Sequence, residues 1–340
     1  MRTFLIFLAA LLPATINDNH HLTVHEWGTF TTIAGKDGAA LEWRPLAGTS
    51  DLPSFVYETG TNGWRHGHCV KCDLTGKIRM ETPVLYFYAD QPMEVSVRVD
   101  FPEGQITEWY PSARQVIGSI DWGRFAVLPN TNANLPVAES SRYYAARETD
   151  AALVRVCNTL GRPTEFEKFL FYRGVGRFDL PVSVKLEGPV LHLAGLTGIA
   201  QVIVFENRAG KIGYRIADVN AAAVDVFRPA LGDSMTPLLA SLEQMLVSQG
   251  LYVKEARAML ETWRDSWFEE GLRVFYILPR AQTDALLPLT VEPRPENVVR
   301  VLVGRVELIT PELEARVLAD PQSHSRFAGA VLKQLRGDVN

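Results

Sequence analysis

The strongest constraint on the fold is an alternation of apolar and polar residues with a period of two. From Met93 to Phe101 every odd position is apolar and every even position is polar. Successive side chains of a β-strand point to opposite faces, so this pattern predicts a strand with one buried and one wet face. Further strands are predicted at Val84 to Tyr88, Phe166 to Tyr172, Val182 to Leu186, Val190 to Leu193, Gln201 to Glu206 and Lys211 to Ile216. Turn signals between these short segments favour an antiparallel, sandwich-like β body.

The pattern changes near Pro229, where helical periodicity begins. Thr236 followed by Pro237 is typical of a helix start, and Gly250 is typical of its end. The elements predicted after that point are a helix from Tyr252 to Trp267, strands at Leu272 to Leu278 and Val298 to Glu307, and a helical segment that opens at Thr310 and Pro311. We therefore predict an α+β protein with a β-rich domain over residues 15–229. A mixed region over residues 230–340 either follows it or packs on and completes the first sheet.

Composition narrows the functional classes. The 340 residues are 47% hydrophobic and 21% charged, which argues against a disordered chain, a coiled coil and a polytopic membrane protein. The net charge of -5 offers no basic surface for a phosphate backbone, so nucleic acid is not an expected partner.

The first residues predict export. Arg2 precedes an unbroken apolar run from Phe4 to Leu12, and Pro13-Ala14 follows it. This layout is typical of a secretory signal peptide, here residues 1–14, and the run is too short for a transmembrane anchor. The alternative is a buried N-terminal strand or helix. Export predicts a periplasmic or extracellular protein.

A cluster of metal-ligand residues lies between Trp64 and Cys72. It contains His66, His68, Cys69 and Cys72, the ligand types that zinc prefers, and a Cys-x-x-Cys turn can direct two sulfurs at one ion. Adjacent His68 and Cys69 point opposite ways in an extended chain, so His66, Cys69 and Cys72 with a remote fourth ligand are the more realistic set. A Cys69-Cys72 disulfide, an inert loop and a redox pair are the alternatives.

The stretch His25-Glu26-Trp27-Gly28-Thr29-Phe30 places two ionisable residues in a predicted strand. Whichever face of the strand is buried, His25 or Glu26 is buried with it. A buried carboxyl group is a candidate for a raised pKa and for acid/base catalysis. The alternative is a structural role in an ion pair or a backbone contact. Gly28 predicts a bulge or a close approach by another backbone.

Two carboxylates lie beside aromatic residues, Glu108 before Trp109 and Glu269 after Phe268. Glycosidase sites combine aromatic platforms with two carboxylates, so both are candidate catalytic groups. Trp263 and Trp267 have helical spacing, which favours a core position for them. The sequence has no Gly-x-Ser-x-Gly elbow, Walker loop, His-Glu-x-x-His motif or dinucleotide fingerprint, which disfavours the corresponding enzyme classes.

The chain resembles a group of bacterial proteins with a signal peptide and a His-Glu-Trp-Gly-Thr-Phe stretch. The resemblance extends to residues 80–88, to residues 169–175 and to residues 266–271. It implies export and a shared fold, and it assigns no activity, cofactor or catalytic residue.

Three functions follow from the sequence. The first is an exported binding or structural module of the cell envelope or exterior, with an extracellular polymer or envelope protein as partner. The second is a hydrolase of an extracellular polymer such as carbohydrate, in which Glu26 and His25 are the acid/base pair and Glu108 or Glu269 is the second carboxylate. The third is zinc binding through His66, Cys69 and Cys72.

Overall fold

The computed structural model describes residues 21–47, 51–60, 70–157, 164–320 and 326–336. Its strands are, in chain order, β1 (Leu22–Ala34), β2 (Tyr57–Glu58), β3 (Ile78–Ala89), β4 (Met93–Asp100), β5 (Gly104–Tyr110), β6 (Gln115–Val116), β7 (Ser119–Leu128), β8 (Leu153–Val156), β9 (Glu165–Glu167), β10 (Leu170–Gly176), β11 (Ser183–Glu187), β12 (Val190–Ala194), β13 (Gln201–Arg208), β14 (Lys211–Asp218), β15 (Ala223–Phe227), β16 (Gly271–Ile277), β17 (Leu289–Glu292) and β18 (Asn297–Leu308). The α-helices are α1 (Met235–Ser248), α2 (Val253–Trp267), α3 (Arg280–Leu286), α4 (Pro311–Ala319) and α5 (Ala328–Leu335), with 3-10 helices at Val70–Asp73 and Arg142–Arg147.

A nine-stranded sheet in the order β14-β13-β16-β18-β1-β3-β10-β5-β2 is the centre of the fold. Its strands pair in antiparallel fashion except β1 and β18, which run parallel side by side. The C-terminal strands β16 and β18 therefore lie inside the same sheet as the N-terminal β1. Smaller sheets, β17-β4-β7-β8-β9 and β11-β12-β15, accompany it.

The two faces of the large sheet bury different layers. On one face, Val24 and Phe87 belong to a core that includes Val97 of β4 and Leu193 of β12, so the small sheets pack there. On the other face, Trp27, Phe275 and Val301 pack with apolar residues of α1 and α2. Alternate residues of each central strand thus enter alternate cores, as the pleat requires. Each fully buried large side chain contributes about 1.5–3 kcal/mol to folding.

The prediction of a β-rich α+β fold is confirmed. The alternating segment forms β4, and the Thr310-Pro311 start opens α4, where Thr310 Oγ1 accepts a hydrogen bond from Leu313 N at 3.2 Å. Trp263 and Trp267 are 4% and 0% exposed, as expected for core residues.

Two local predictions need correction. The first helix begins at Met235 after Ser234 in extended conformation, one residue before the predicted cap Thr236. The segment from Phe166 to Tyr172 is divided between β9 and β10, which belong to different sheets, because a bend at Lys168 and Phe169 separates them.

The helices can be compared with the length and apolarity that a transmembrane helix requires. No helix among the described residues has the length and apolarity needed to cross a membrane. The predicted signal peptide lies outside the described residues.

Candidate functional site

His25 and Glu26 lie in β1 and point to opposite faces of the large sheet. Both are buried, at 2% and 0% exposure. On the helix side, His25 Nδ1 lies 2.7 Å from Glu255 Oε2 of α2, and the imidazole ring packs against Tyr88 and Tyr252. The two side chains therefore occupy separate environments on either side of the sheet.

Glu26 forms a buried ion pair. Its carboxylate accepts hydrogen bonds from Tyr172 Oη and from Arg300 Nε, each at 2.5 Å, and Arg300 Nη1 also donates to Asp284 at 2.8 Å. Burial lowers the pKa of Arg300, but Glu26 and Tyr172 outweigh it and raise the pKa overall. Burial and the Glu26 carboxylate also raise the pKa of Tyr172. These contacts are those of a structural pair, and the acid/base role stays a prediction.

The two other predicted carboxylates lie in different places. Glu108 of β5 accepts hydrogen bonds from Lys71 Nζ at 3.0 Å and from Thr107. Glu269 lies in the turn between α2 and β16, where its Oε1 accepts from Arg305 Nη2 at 2.7 Å and from Arg326 Nε at 3.0 Å. The structure gives no contact between the two carboxylates.

The predicted zinc ligands fall mostly outside the described residues. His66, His68 and Cys69 belong to residues 61–69, which are not described, and Cys72 lies in the 3-10 helix Val70–Asp73. In the part of the chain that the structure describes, no group of three or more His, Cys, Asp or Glu side chains is arranged to hold a metal ion. The zinc and disulfide alternatives stay predictions.

A cleft of about 1180 Å³ opens on the helix-side face of the large sheet, beside the end of α2. Its lining includes Arg79 and Glu81 of β3, Arg173 of β10, Glu269 and Arg326, and we call it the arginine cleft. Glu269 is thus the one predicted catalytic residue that lines it, whereas His25, Glu26 and Glu108 do not.

The floor of the arginine cleft belongs to a band of charged residues that crosses the large sheet. On four strands the helix-side positions are apolar under α1 and α2 and charged beyond these helices. The pairs of apolar and charged positions are Phe171 and Arg173 in β10, Phe275 and Arg273 in β16, Val303 and Arg305 in β18, and Val84 and Glu81 in β3. The register aligns Arg305 with Thr31 of β1, and Thr31 with Arg79. The band is therefore continuous across neighbouring strands.

A bulge in β3 places Glu81 in this band. The pairing of β1 with β3 shifts between Trp27 and Thr29, so that Trp27 lies opposite Val84 and Thr29 opposite Glu81. A Cβ atom on Gly28 would approach Pro83 Cα to 2.9 Å. The close backbone approach predicted for Gly28 is confirmed. The extra residue in β3 turns Glu81 towards the helix side.

Arg326 and Arg305 connect the carboxylates of the band. Arg326 Nη1 donates to Glu81 Oε1 at 3.1 Å while its Nε donates to Glu269, so one guanidinium bridges the two carboxylates. Arg305 Nε donates to Glu307 Oε1 at 2.5 Å. Arg173 and Asp51 also line the cleft. Arg173 Nη1 donates to Asp51 Oδ1 at 2.7 Å.

Arg79 is less well paired. Its Nε lies 3.5 Å from Glu81 Oε1 and its Nη2 lies 3.9 Å from Asp51 Oδ1. The side chain is 13% exposed, and its buried Nε has no hydrogen-bond partner among the described residues. Burial lowers the pKa of Arg79, and the charge of Arg173 acts in the same direction against the opposing charge of Glu81. Burial is therefore the main cause that disfavours the charged form of Arg79.

The carboxyl groups of the cleft are held ionised. Burial alone would raise the pKa of Glu81, but Arg326 and Arg79 lower it overall. Burial would also raise the pKa of Glu269, but Arg326 and Arg305 lower it overall. At Asp51 the charge of Arg173 outweighs burial and holds the pKa of that carboxyl well below its usual range. The cleft consequently presents charged acceptors and charged donors at neutral pH, and none of these three groups is a proton donor there.

No protein-family model and no curated protein matches the chain. Among solved structures, the chain is similar to the Fcho1 Mu homology domain of Danio rerio with bound Eps15 peptide. That similarity covers 86% of this chain and 97% of that chain at 7% identity, with a TM-score of 0.31. A similarity of this size supports no conclusion about fold or function.

Proposed function

We propose that the protein is an exported binding module whose ligand is anionic and occupies the arginine cleft. The observation that carries the proposal is the incomplete pairing of the Arg79 guanidinium. Its guanidinium lines the cleft, its Nε has no hydrogen-bond partner among the described residues, and its nearest carboxylate oxygens lie at 3.5 and 3.9 Å. A planar guanidinium without a close carboxylate is suited to bind a carboxylate, sulfate or phosphate group through two parallel hydrogen bonds.

The pairing within the band supports an anion at Arg79. Arg173, Arg273, Arg305 and Arg326 each have a carboxylate oxygen close by, at 2.7, 2.8, 2.7 and 2.9 Å. The nearest carboxylate oxygens of Arg79 lie at 3.5 and 3.9 Å. A buried charge with poor pairing is costly, so an anion bound to Arg79 would stabilise the network.

The same charges favour binding over two-carboxylate hydrolysis. A glycosidase of that kind needs one carboxyl group that holds a proton near neutral pH. Arginines lower the pKa of Glu81 and of Glu269, so neither is suited to that role. Glu26, the acid proposed from the sequence, does not line this cleft.

Thermal unfolding in the presence of a panel of anions tests the proposal. At low ionic strength, millimolar citrate, sulfate, phosphate or galacturonate is expected to raise the Tm of the full chain, and added NaCl is expected to reduce the shift. Arg79→Gln should abolish the shift, whereas Arg98→Gln, an exposed arginine of β4 paired with Asp100, should keep it. Equal shifts in the two variants, or none in the wild type, would refute an anion site at Arg79.

Export remains part of the proposal, supported by the apolar leader from Phe4 to Leu12. N-terminal sequencing of protein recovered from the native host should show a chain that begins near residue 15. An intact Met1 on protein from the cytoplasm would contradict export.

A further inference from the structure

The floor of the arginine cleft offers a hydrogen-bond acceptor beside its donor. Glu81 is 0% exposed and lines the cleft, and its Oε2 has no hydrogen-bond partner among the described residues, whereas its Oε1 accepts from Arg326. Arg79 Nε, the unpartnered donor, lies 3.5 Å from that same Oε1. A buried polar atom without a hydrogen-bond partner costs about 1–3 kcal/mol. A ligand that accepts from Arg79 and donates to Glu81 would remove this cost at both atoms and would bind more tightly for that reason.

We propose that the ligand is an acidic saccharide, which binds with a carboxylate on Arg79 and a neighbouring hydroxyl on Glu81 Oε2. This inference rests on the proposed function and names the ligand class of the same cleft. Because Glu81 is ionised, its oxygen accepts hydrogen bonds and cannot donate them. The ligand must therefore carry an O–H or N–H donor within one sugar ring's reach of its anionic group.

The surrounding charge favours a hydroxyl over an ammonium group as that donor. Glu81 already lies against Arg326 and Arg79, and both arginines repel a further cation at this position. A zwitterionic amino acid would bring its ammonium group close to these two guanidinium groups. A fully ionised phosphate or sulfate ester supplies acceptors but no donor for Glu81 Oε2. A uronic acid supplies a carboxylate and adjacent neutral hydroxyls.

The walls of the cleft suit a polyhydroxylated ligand. Ser266 and Thr75 are among the polar residues that line the cleft. Trp263, 4% exposed, lines the cleft as well, and its indole Nε1 has no hydrogen-bond partner among the described residues. The volume of about 1180 Å³ exceeds the roughly 300–1,000 Å³ usual for a small-molecule pocket, which favours an oligosaccharide over a single sugar.

Titration calorimetry with the full chain at low ionic strength tests the ligand class. The probes are a trimer of galacturonic acid, the matching neutral trimer of galactose, succinate and inorganic sulfate, which has no O–H group at neutral pH. The acidic trimer should bind at least about tenfold more tightly than each of the other three, because only it can satisfy Arg79 and Glu81 together. Arg79→Gln should weaken the acidic trimer by about tenfold or more, and Arg98→Gln should not change its affinity.

Two further variants separate this inference from the proposed function. Glu81→Gln should weaken the acidic trimer by about fivefold or more and leave succinate within about twofold, since succinate has no hydroxyl to donate. Should Glu81→Gln fail to fold, Trp263→Phe removes the indole N–H and reduces the ring, and it is expected to weaken the trimer by about threefold or more and leave succinate within about twofold.

The outcomes are distinct. Succinate or sulfate binding as tightly as the acidic trimer, with loss in Arg79→Gln, would overturn the saccharide and leave the anion site in place. Neutral trimer binding as tightly as the acidic one would overturn the role of the carboxylate. No binding by any probe would overturn both the inference and the proposed function.

Discussion

Glu26→Gln tests whether the deeply buried ion pair at the centre of the sheet is structural. Glu26 is 0% exposed, and its carboxylate accepts hydrogen bonds from Tyr172 Oη and Arg300 Nε, each at 2.5 Å. Removing one partner of a buried pair costs about 3–5 kcal/mol, because the other charge stays behind. In the variant, Arg300 Nη1 still donates to Asp284 Oδ1 at 2.8 Å. The amide oxygen of the glutamine can also still accept one hydrogen bond. We therefore expect a loss near the lower end, about 3 kcal/mol.

The assay is the free energy of unfolding in urea, followed by tryptophan fluorescence and circular dichroism. Glu94→Gln, which removes an exposed carboxylate from β4, is the matched control and should change that free energy by less than about 0.5 kcal/mol. In the double variant Glu26→Met and Arg300→Met, the loss should be smaller than the sum of the single losses, since no buried charge remains unpaired. Normal stability of Glu26→Gln together with loss of a hydrolytic activity would refute this reasoning and restore the acid/base role.

Two other predictions concern stability. The folded-state pKa values of Asp51, Glu81 and Glu269 lie below their unfolded values, so the stability that these groups supply is fully present above about pH 5 and is lost as pH falls through the unfolded and then the lowered values. Urea titrations at pH 3, 4, 5 and 7 should show that the free energy of unfolding falls below pH 5, and that it falls less steeply in Glu81→Gln. A free energy of unfolding that does not change with pH would contradict the network. Gly195→Ala should cost about 2–4 kcal/mol, because Gly195 has a φ of 76° and an added Cβ would lie 1.8 Å from Pro181 O. Gly329→Ala, where a Cβ meets nothing within 4 Å, is its control, and equal Tm values for the two variants would show that Gly195 is not constrained.

Much of the fold follows from local patterns in the sequence. The strict alternation from Met93 to Phe101 predicts β4 because its residues divide cleanly between the core and a wetter face. The parallel pairing of β1 with β18 is not predictable, because the two strands are separated by most of the chain and each pattern fits several partners. The cap at Ser234 is hard to recognise because Thr236-Pro237 carries the same signal slightly later in the chain.

The arginine cleft is harder to predict than the fold. Arg79 and Glu81 alternate with Ile78 and Met80, which is also the pattern of an ordinary solvent-exposed face. Sequence spacing cannot show that α1 and α2 cover the apolar part of this face and stop short of the charged part. Glu269 is a candidate because of its aromatic neighbours and does line the cleft, but its partners Arg305 and Arg326 come from later segments.

The opposite problem arises at His25 and Glu26. Two ionisable residues in a strand predict either catalysis or pairing, and the sequence leaves both open. The structure gives His25 and Glu26 separate buried partners, Glu255 and Arg300, from elements that only the tertiary fold brings near. Burial of a charged residue therefore identifies a constrained position without identifying its role.

The most direct test of the proposed saccharide site is a crystal structure of the full chain with the galacturonic acid trimer. We expect a sugar in the arginine cleft, with its carboxylate within hydrogen-bond distance of the Arg79 guanidinium and a hydroxyl oxygen within about 3 Å of Glu81 Oε2. A trimer bound elsewhere on the protein, or a cleft that stays empty at saturating trimer, would contradict the proposed site.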